Sequence, residues 1–385
     1  MTLAQIGVDV RQAGQGDAVR GVVPRWVALP TSVEEIAAVL RACAEQDLAV
    51  TPAGGRTKLG WAASPERCDV LLDLSRMDAL LEHAAGDLVV RAQAGLPMDA
   101  LAAALADKGQ ELALDVPPGW GATVGGTLAA GLAGPRAFRY GTARDLLIGV
   151  TVVLADGTIA RSGGKVVKNV AGYDLGKLFT GSYGTLGVIA EATFRLHPLP
   201  AGRRWVVAEP DAAEVPAVAA ALATAQAEPS AVEVDRPRQD GPVALAALVE
   251  GTAAEARAEA LREIVGSGTV TAEPPAWWGR IPPGETLAEA RFPPAATGAV
   301  LEAAGTALRG SPVSGRMLLA TDERLGVSTL RKAVEEHGGR VVVLRTPDDD
   351  VDRWGQVSAL GLMRRVKERF DPGRRMSPGR FVGGL

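Results

Sequence analysis

A run of small residues between positions 119 and 131 constrains the fold of this chain more than any other feature of its sequence. It reads GWGATVGGTLAAG, and Gly119, Thr123, Gly125 and Gly126 belong to it. Backbone without large side chains can lie directly against a flat ligand. The alternative interpretation is close packing of a small-residue helix against a sheet.

A second glycine-rich segment, PAGGRTKLG at positions 52–60, directly follows a predicted strand at 48–50. Adjacent glycines let backbone N–H groups converge into an anion-binding nest, and Arg56, Thr57 and Lys58 add two cations and a hydroxyl. The segment suits a pyrophosphate, although a tight turn that needs positive φ explains it as well. It contains neither the GxxxxGK[ST] nor the GxGxxG pattern, which excludes a P-loop and a Rossmann site.

A third segment, GSYGTLGVI at positions 181–189, leads into a predicted strand. Gly184, Val188 and Ile189 lie in it. It suits close approach of a ligand to the backbone, and the alternative interpretation is a simple turn before a strand.

Hydrophobic periodicity predicts short strands and helices along the chain and no internal repeat. Residues 24–50 are predicted as a strand–helix–strand unit, Asp156-Gly157 as a hairpin turn, and the proline-rich residues 272–295 as a long loop. Further predicted strands are 70–74, 88–94, 147–154, 158–161, 187–196, 243–249, 316–319 and 340–344, and further predicted helices are 97–108, 212–226, 253–265, 329–337 and 355–370.

Composition excludes several classes of function. The formal net charge of −4 argues against a nucleic-acid partner. Two cysteines exclude a disulfide framework and an iron–sulfur cluster held by this chain alone, and three scattered histidines predict no metal site. Neither a secretory signal nor an apolar stretch of membrane-spanning length is visible, so we expect a cytoplasmic protein, with peripheral attachment to the inner membrane through partners as the alternative.

The order and spacing of the glycine-rich segments resemble the FAD-binding domain of the vanillyl-alcohol oxidase/p-cresol methylhydroxylase (PCMH) type. The matching stretches are PAGGRTKLG, ATVGGTLAAGLAGP, RYGTARDLLIGVTVVLADGTI and GGKVVKNVAGYDLGKLFTGSYGTLGVIAEATFRLHPLP. Within this superfamily, the chain is most similar to the FAD-binding E subunit of bacterial glycolate oxidase. FDPGRRMSPGRF at positions 370–381 resembles the closing element of that family.

The resemblance implies an α+β protein that begins with a two-lobed PCMH-type FAD-binding domain. That domain is expected at residues 1–198, with lobes at about 1–85 and 86–198 and FAD between them. A smaller α+β cap is expected at 199–355, and a tail at 356–385 is expected to return to the flavin site. The first lobe is expected to hold a parallel sheet, the second a mixed sheet and the cap an antiparallel sheet.

The resemblance also assigns cofactor contacts by position. The first glycine-rich loop would hold the FAD pyrophosphate, Leu128-Ala129 would line the isoalloxazine, and Val188-Ile189 would meet the adenine end through backbone groups. The loop has no histidine for covalent attachment, so non-covalent FAD is implied, and Ser377 stands where the family usually has Asn. The full set of predicted cofactor-binding residues is Pro52, Ala53, Gly54, Gly55, Arg56, Thr57, Lys58, Gly119, Thr123, Gly125, Gly126, Leu128, Ala129, Gly184, Val188 and Ile189.

The function implied is that of an FAD-dependent oxidoreductase subunit in a glycolate oxidase/dehydrogenase complex. It would oxidise a small 2-hydroxy acid such as glycolate to a 2-oxo acid, or relay its electrons, beside a second flavoprotein subunit and an iron–sulfur subunit. Two alternatives stay open. One is a self-sufficient FAD-dependent D-lactate or aldonolactone dehydrogenase, and the other is a flavin-bearing structural subunit without its own catalysis.

No catalytic residue is assigned from the sequence. The HxGDGNxH-like stretch of the related catalytic subunits is absent, and Glu336-His337-Gly338 is a chance-level match to their EHG. We expect His337 at a helix end, His197 at a strand end and His83 exposed, so none is a convincing general base.

Four basic residues are considered for contact with a substrate anion. Lys165 and Lys168 are expected at a solvated strand edge rather than on a substrate anion. Arg280 and Arg291 lie in the proline-rich segment and are candidates to reach a substrate carboxylate.

Overall fold

Four β-sheets with helices packed on them organise this chain, which a computed structural model describes over residues 3–164, 174–323 and 326–385. The strands are β1 Asp9–Gln12, β2 Trp26–Leu29, β3 Val50–Ala53, β4 Val70–Asp73, β5 Leu80–Ala84, β6 Val89–Gln93, β7 Gln110–Glu111, β8 Leu147–Val153, β9 Ile159–Gly163, β10 Val188–Arg195, β11 His197–Pro198, β12 Arg203–Ala208, β13 Ala231–Arg236, β14 Ala244–Glu250, β15 Thr269–Thr271, β16 Thr286–Arg291, β17 Ala307–Ser311, β18 Arg316–Thr321 and β19 Arg340–Arg345. The helices are α1 Val33–Glu45, α2 Met98–Ala106, α3 Val124–Ala130, α4 Ala137–Tyr140, α5 Ala143–Leu146, α6 Gly176–Phe179, α7 Val215–Ala223, α8 Ala254–Val265, α9 Thr297–Ala303, α10 Val327–Glu335 and α11 Leu360–Phe370.

The first sheet has the strand order β1-β2-β4-β3. Ser32 caps the start of α1 by accepting a hydrogen bond from the Glu35 N–H at 3.1 Å, and α1 buries its apolar face in the hydrophobic core that the first two sheets share. The predicted strand–helix–strand unit is confirmed, with β4 inserted between its two strands. The expected parallel arrangement holds for β2, β4 and β3, whereas β1 is antiparallel to β2.

The second sheet has the order β5-β6-β10-β8-β9, and every neighbouring pair in it is antiparallel. The expected mixed sheet is therefore wrong. Short hairpins join β5 to β6 and β8 to β9, and strands joined in this way must run in opposite directions. The predicted Asp156-Gly157 turn is confirmed, and Gly157 supplies its positive φ of 82°.

The third large sheet has eight antiparallel strands in the order β15-β12-β14-β13-β17-β18-β16-β19. Its apolar face packs against α7 to α10 and forms a separate hydrophobic core. The prediction of a loop at 272–295 is wrong for its last part, because β16 lies between β18 and β19. Proline pairs on both sides of this strand, at 282–283 and 293–294, obscured its alternating pattern.

The expected α+β class is confirmed by these sheets and helices. Along the chain, the last strand of the second sheet ends at Arg195 and the first strand of the eight-stranded sheet begins at Arg203. Strand β11, which pairs with β7, lies between these two residues in the sequence. The boundaries at 198 and 355 stay predictions. Within the three described ranges, every helix is too short or too polar to cross a bilayer.

The segment after α11 lies beside the first sheet. The Val50 N–H donates to the Arg375 carbonyl at 2.8 Å, and the Ser377 N–H donates to the Val50 carbonyl at 2.9 Å. Lys367 of α11 is buried, and its Nζ lies 2.7 Å from the buried Asp371 carboxylate. The same Nζ donates to the carbonyls of Thr185 and Met376, which fixes the tail beside β3.

Candidate cofactor cleft

A cleft lies where the first two lobes meet the C-terminal tail. Its walls are the loop after β3, the start of α3, the turn before β10 and the side chain of Arg380. The loop after β3 follows the carboxyl end of a parallel strand, which is where open α/β sheets place their ligand loops. Residues far apart in the sequence are thereby brought to one site.

Glycines let the first loop touch the segment before α3 more closely than side chains permit. A Cβ on Gly54 would lie 2.2 Å from Thr123 Oγ1, and a Cβ on Gly55 would lie 1.8 Å from the Gly121 carbonyl oxygen. The second contact is to backbone, which cannot move aside cheaply. The two glycine-rich segments therefore form one continuous wall.

Gly125 and Gly126 face different surroundings although they are adjacent in α3. A Cβ on Gly125 would lie 2.7 Å from Ala94 Cβ on the next segment after β6, and the Gly125 N–H donates to the Ala94 carbonyl at 2.7 Å. A Cβ on Gly126 would have Thr123 Oγ1 as its only close neighbour among the described residues, at 3.2 Å. A side chain at Gly125 would therefore collide with the protein, whereas one at Gly126 would lie on the wall of the cleft.

Arg56 does not point an unpaired charge into the cleft. Its guanidinium lies 3.0 Å from the Asp17 carboxylate and 2.6 Å from the Asp73 carboxylate. Hydrogen bonds from Arg11 and Arg56 hold the pKa of Asp17 well below its usual range. Arg56 thus anchors the first loop to its own lobe, which differs from the sequence-based view of it as a cation for the phosphate.

Lys58 is a partly buried ammonium that makes no ion pair with any described residue. Its Nζ lies 4.4 Å from the centre of the Trp120 ring and 3.2 Å from Thr57 Oγ1. Burial lowers the pKa of Lys58 to about 8. Removing an ammonium from water without a counter-charge is costly, so an anion bound in the cleft would offset that cost.

Arg380 brings a second cation from the tail, and the sequence-based reasoning missed it. Its side chain is 2% exposed, and its Nη2 donates to the carbonyls of Leu59 and Trp61 at 3.0 and 2.6 Å. Its Nε and Nη1 have no hydrogen-bond partner in the described part of the chain. Burial lowers the pKa of Arg380 to about 10. The closing element FDPGRRMSPGRF contains this arginine and was the available signal.

Two buried hydroxyls near the cleft also have no hydrogen-bond partner among the described residues. They are Thr51 Oγ1, on the cleft wall, and Ser377 Oγ, which would lie 3.5 Å from a Cβ on Gly184. Buried polar groups are nearly always hydrogen-bonded in native proteins. Unused donors together with Lys58 and Arg380 fit a ligand that is rich in acceptors and negatively charged.

The structure brings most of the predicted cofactor residues to this cleft. Those that line it are Pro52, Ala53, Gly54, Gly55, Arg56, Thr57, Lys58, Thr123, Gly125, Gly126, Ala129, Gly184 and Ile189. Leu128 and Val188 instead place their side chains in the hydrophobic core, and Gly119 lies outside the lining in a turn with a φ of 66°. Tyr183, Leu74 and Ala94 line the cleft without having been predicted.

The sequence between residues 24 and 163 matches the family described as FAD binding domain. This part of the chain is therefore similar to FAD-binding domains, and it is called the FAD-binding domain below. The unused donors, the two cations and the small-residue walls of the cleft fit that cofactor. The FAD-binding domain contains the first loop and α3, while the turn at 181–189 and Arg380 lie beyond the matched residues.

Relatives align with less than half of the chain. A D-2-hydroxyglutarate dehydrogenase of Xanthomonas citri pv. viticola is 38% identical over 177 residues, which are 46% of this chain and 38% of that protein. Glycolate oxidase subunit GlcD of Bacillus subtilis is 36% identical over 186 residues, which are 48% of this chain and 40% of that protein. The D-lactate dehydrogenase [cytochrome] 1, mitochondrial, of Saccharomyces cerevisiae is 38% identical over 180 residues, which are 46% of this chain and 30% of that protein. The aligned part therefore spans less than half the length of each of these relatives.

Likeness of fold extends further along the chain. A solved structure of alkyldihydroxyacetonephosphate synthase superposes with a TM-score of 0.70 at 17% sequence identity. The superposition covers 93% of this chain and 76% of the other. It therefore includes the eight-stranded sheet beyond the FAD-binding domain.

None of the three histidines lines the cleft. His337 is exposed just after α10, in agreement with its expected place at a helix end. The ring of His197, on β11, lies 4.7 Å from the ring of Tyr140. His83 is only partly exposed, and its Nε2 lies 2.8 Å from Gln110 Oε1.

Of the four basic residues singled out from the sequence, the structure describes two. Lys165 and Lys168 lie outside the described residues. Arg291 pairs with Glu289 at 2.8 Å. Arg280 lines a second cavity, between the FAD-binding domain and the eight-stranded sheet.

Proposed function

We propose that this chain binds FAD non-covalently in the cofactor cleft and is the flavin-bearing subunit of a glycolate oxidase/dehydrogenase-type complex. In that complex it oxidises a small 2-hydroxy acid to a 2-oxo acid or relays the electrons of that oxidation. The observation that carries the proposal is the pair of cations, Lys58 and Arg380, at a cleft of the FAD-binding domain, with no carboxylate partner among the described residues.

Each part of the cleft has a task in this proposal. Lys58 and Arg380 would neutralise the pyrophosphate or a negative charge on the flavin, and the glycine wall would let backbone lie against the cofactor. The ion pairs of Arg56 would keep the first loop rigid. Bound FAD supplies the acceptance of hydride and the transfer of single electrons, while the protein supplies position and polarity.

The substrate class follows from the names of the relatives. D-2-hydroxyglutarate, D-lactate and glycolate, which those names contain, are all 2-hydroxy acids. The name of the Bacillus subtilis relative describes a subunit, which supports a complex. The resemblance to the E subunit adds a second flavoprotein and an iron–sulfur subunit as the partners that we propose.

Non-covalent FAD is tested on the purified protein. We expect a yellow protein whose flavin enters the supernatant on acid precipitation, because no histidine lies in the loop that would hold a covalent link. The measurement is the flavin absorbance of pellet and supernatant. Flavin that stays with the pellet contradicts the non-covalent proposal, and a colourless protein that takes up no added FAD contradicts the proposed function.

Anaerobic mixing with excess glycolate tests the role in the complex, followed at the flavin absorbance. Bleaching is expected when the chain is combined with its partner subunits. Rapid bleaching of the isolated chain assigns the oxidation to this subunit and favours the self-sufficient alternative. Bleaching only in the complex indicates that this subunit relays electrons from a partner subunit. Flavin that stays oxidised in both preparations contradicts glycolate as the substrate.

A further inference from the structure

The eight-stranded sheet has two unlike faces. One face is apolar and packs against helices, whereas the opposite face carries charged residues that are nevertheless buried. Glu233, Asp235, Glu289 and Arg309 belong to this charged face and are each less than 10% exposed. Burying charges costs free energy unless they are paired.

The carboxylates of this sheet are paired with guanidinium groups, with one exception. Asp235 lies 2.7 Å from Arg309, Glu289 lies 2.8 Å from Arg291, and Glu250 lies 2.9 Å from Arg203. Glu233 has neither a hydrogen bond nor an ion pair among the described residues, although only 6% of it is exposed. Burial, with a smaller contribution from Asp115, raises the pKa of Glu233 well above its usual value. An unpaired buried carboxyl group that is kept at such a cost marks a candidate functional site.

Glu233 lines a cavity of about 170 Å³ between this sheet and the FAD-binding domain. That volume holds several water-sized groups, the scale of a small hydroxy acid. Three arginines line the cavity, Arg280, Arg309 and Arg316. Asp115 is the other acidic residue of the lining, and its carboxylate is held by Arg136 at 2.7 Å.

The cavity lies next to the cofactor cleft. Leu132, Ile281 and Leu318 line the cavity and pack in the same apolar cluster as Tyr183, which lines the cleft. Arg316 also donates from Nη2 to the Gly131 carbonyl at the end of α3, at 3.2 Å. The apolar cluster and the end of α3 therefore contribute to the boundary of both the cavity and the cleft.

We propose that this cavity binds a small 2-hydroxy carboxylate, with its carboxylate at Arg280 and its hydroxyl hydrogen-bonded to Glu233. The assignment rests on the proposed function. Arg280 is exposed, and its side chain makes no ion pair within the described ranges, so it is free to take a carboxylate. Arg309 and Arg316 are engaged by Asp235 and Glu289 and contribute their remaining N–H groups. Glu233 takes the place at the substrate hydroxyl that a histidine general base would otherwise hold.

Binding of glycolate and acetate to the FAD-loaded protein tests this site, because the two ligands differ only in the hydroxyl. The flavin is first reduced anaerobically, so that glycolate cannot be oxidised, and binding is measured by equilibrium dialysis with radiolabelled ligand. We expect glycolate to bind roughly tenfold more tightly than acetate, from one additional hydrogen bond. Glu233→Leu should abolish that preference and leave acetate binding unchanged. Arg280→Gln should weaken the binding of glycolate and of acetate to a similar extent.

Glu250→Gln is the matched control, since it removes a buried carboxylate of the same sheet outside the cavity. It should keep the glycolate preference. A wild-type protein that does not prefer glycolate, or a Glu233→Leu variant that keeps the preference, overturns the assignment. FAD content measured on every variant separates this outcome from a failure of the proposed function, which would appear as loss of flavin from the wild type.

Thermal unfolding gives a second readout if Glu233→Leu does not fold. Glu233→Gln should leave stability unchanged or raise it, because it removes an unpaired buried carboxyl. Glu250→Gln should lower stability, because it removes the charge of one of the two carboxylates that pair with Arg203 and of the acceptor of the Tyr140 hydroxyl. A clear loss of stability in Glu233→Gln would show that Glu233 is a structural residue and would overturn the proposal.

Discussion

Lys58 shows at the scale of one residue how the cleft can favour an anion. Its pKa is about 8 in the folded chain, below the value of 10.5 for a lysine in water, and burial is the cause. The folded state therefore binds fewer protons than the unfolded state between these two values, and this group makes the chain more stable as the pH rises through that window. A pyrophosphate beside Lys58 would stabilise the charged form and raise its pKa again.

FAD binding to the apoprotein should therefore weaken as the pH rises through about 8, where Lys58 loses its proton. Lys58→Met should remove this pH dependence and lower FAD affinity at pH 7 by about tenfold to a hundredfold, since a contact to a charged group contributes roughly 1.5–3 kcal/mol. Quenching of FAD fluorescence on titration measures both effects. Lys332→Met, on the exposed surface of α10, is the control and should bind FAD normally. If the pH dependence of FAD binding is unchanged in Lys58→Met, Lys58 does not contact the pyrophosphate.

At the scale of one element, α3 combines packing against the protein with contact to the cleft. Gly125 approaches Ala94 so closely that a side chain has no room, whereas Gly126 meets only the hydroxyl of Thr123 among the described residues. The two adjacent glycines therefore serve different purposes, and substitutions at them should have different effects.

Gly125→Val should destabilise the apoprotein by about 1–3 kcal/mol, the usual cost of forcing extra atoms into a packed site. Gly126→Ala should keep the apoprotein close to its normal stability and reduce FAD affinity, because its methyl group lies on the cleft wall. Denaturant unfolding of the apoproteins measures the first effect, and FAD titration measures the second. Gly60→Ala, whose Cβ would have no atom of the described residues within 4 Å, is the control for both. Equal stability of the two α3 variants would contradict this distinction.

Sequence patterns predicted local features of these elements better than the relations between them. The strand–helix–strand unit at 24–50 and the first glycine loop follow from short-range rules of capping and turn geometry. On β13, by contrast, Val232 and Val234 alternate with Glu233 and Asp235, which is typical of a strand with one solvated face. That face is covered by the FAD-binding domain, a contact between distant segments that no local pattern reveals. The partners of Arg56 were hidden for the same reason, since Asp17 and Asp73 come from other parts of the first lobe.

At the scale of the whole molecule, the tail couples the far end of the described chain to the cleft. Asp371 is fully buried, pairs with Lys367 and accepts hydrogen bonds from the N–H groups of Arg375 and Met376. These contacts hold the segment that carries Arg380. A substitution that never touches the cofactor should therefore weaken its binding.

Asp371→Asn should lower the free energy of unfolding by roughly 3 kcal/mol or more, because it leaves the buried Lys367 ammonium without a counter-charge. It should also loosen the tail and reduce FAD affinity through Arg380. Limited proteolysis after α11 and FAD titration measure the two effects. Asp350→Asn, at an exposed site, should change neither. A tail that is cleaved readily while FAD affinity stays normal would show that Arg380 is not needed for the cofactor.

The place of Arg380 also sets an order of events during synthesis. A ribosome makes the chain from its N-terminus, and the first lobe can collapse while later residues are still being added. The cleft lacks one of its cations, and β3 lacks its neighbour at Met376, until position 380 has emerged. The proposed contact between Arg380 and the flavin can thus form only after the whole eight-stranded sheet has been translated.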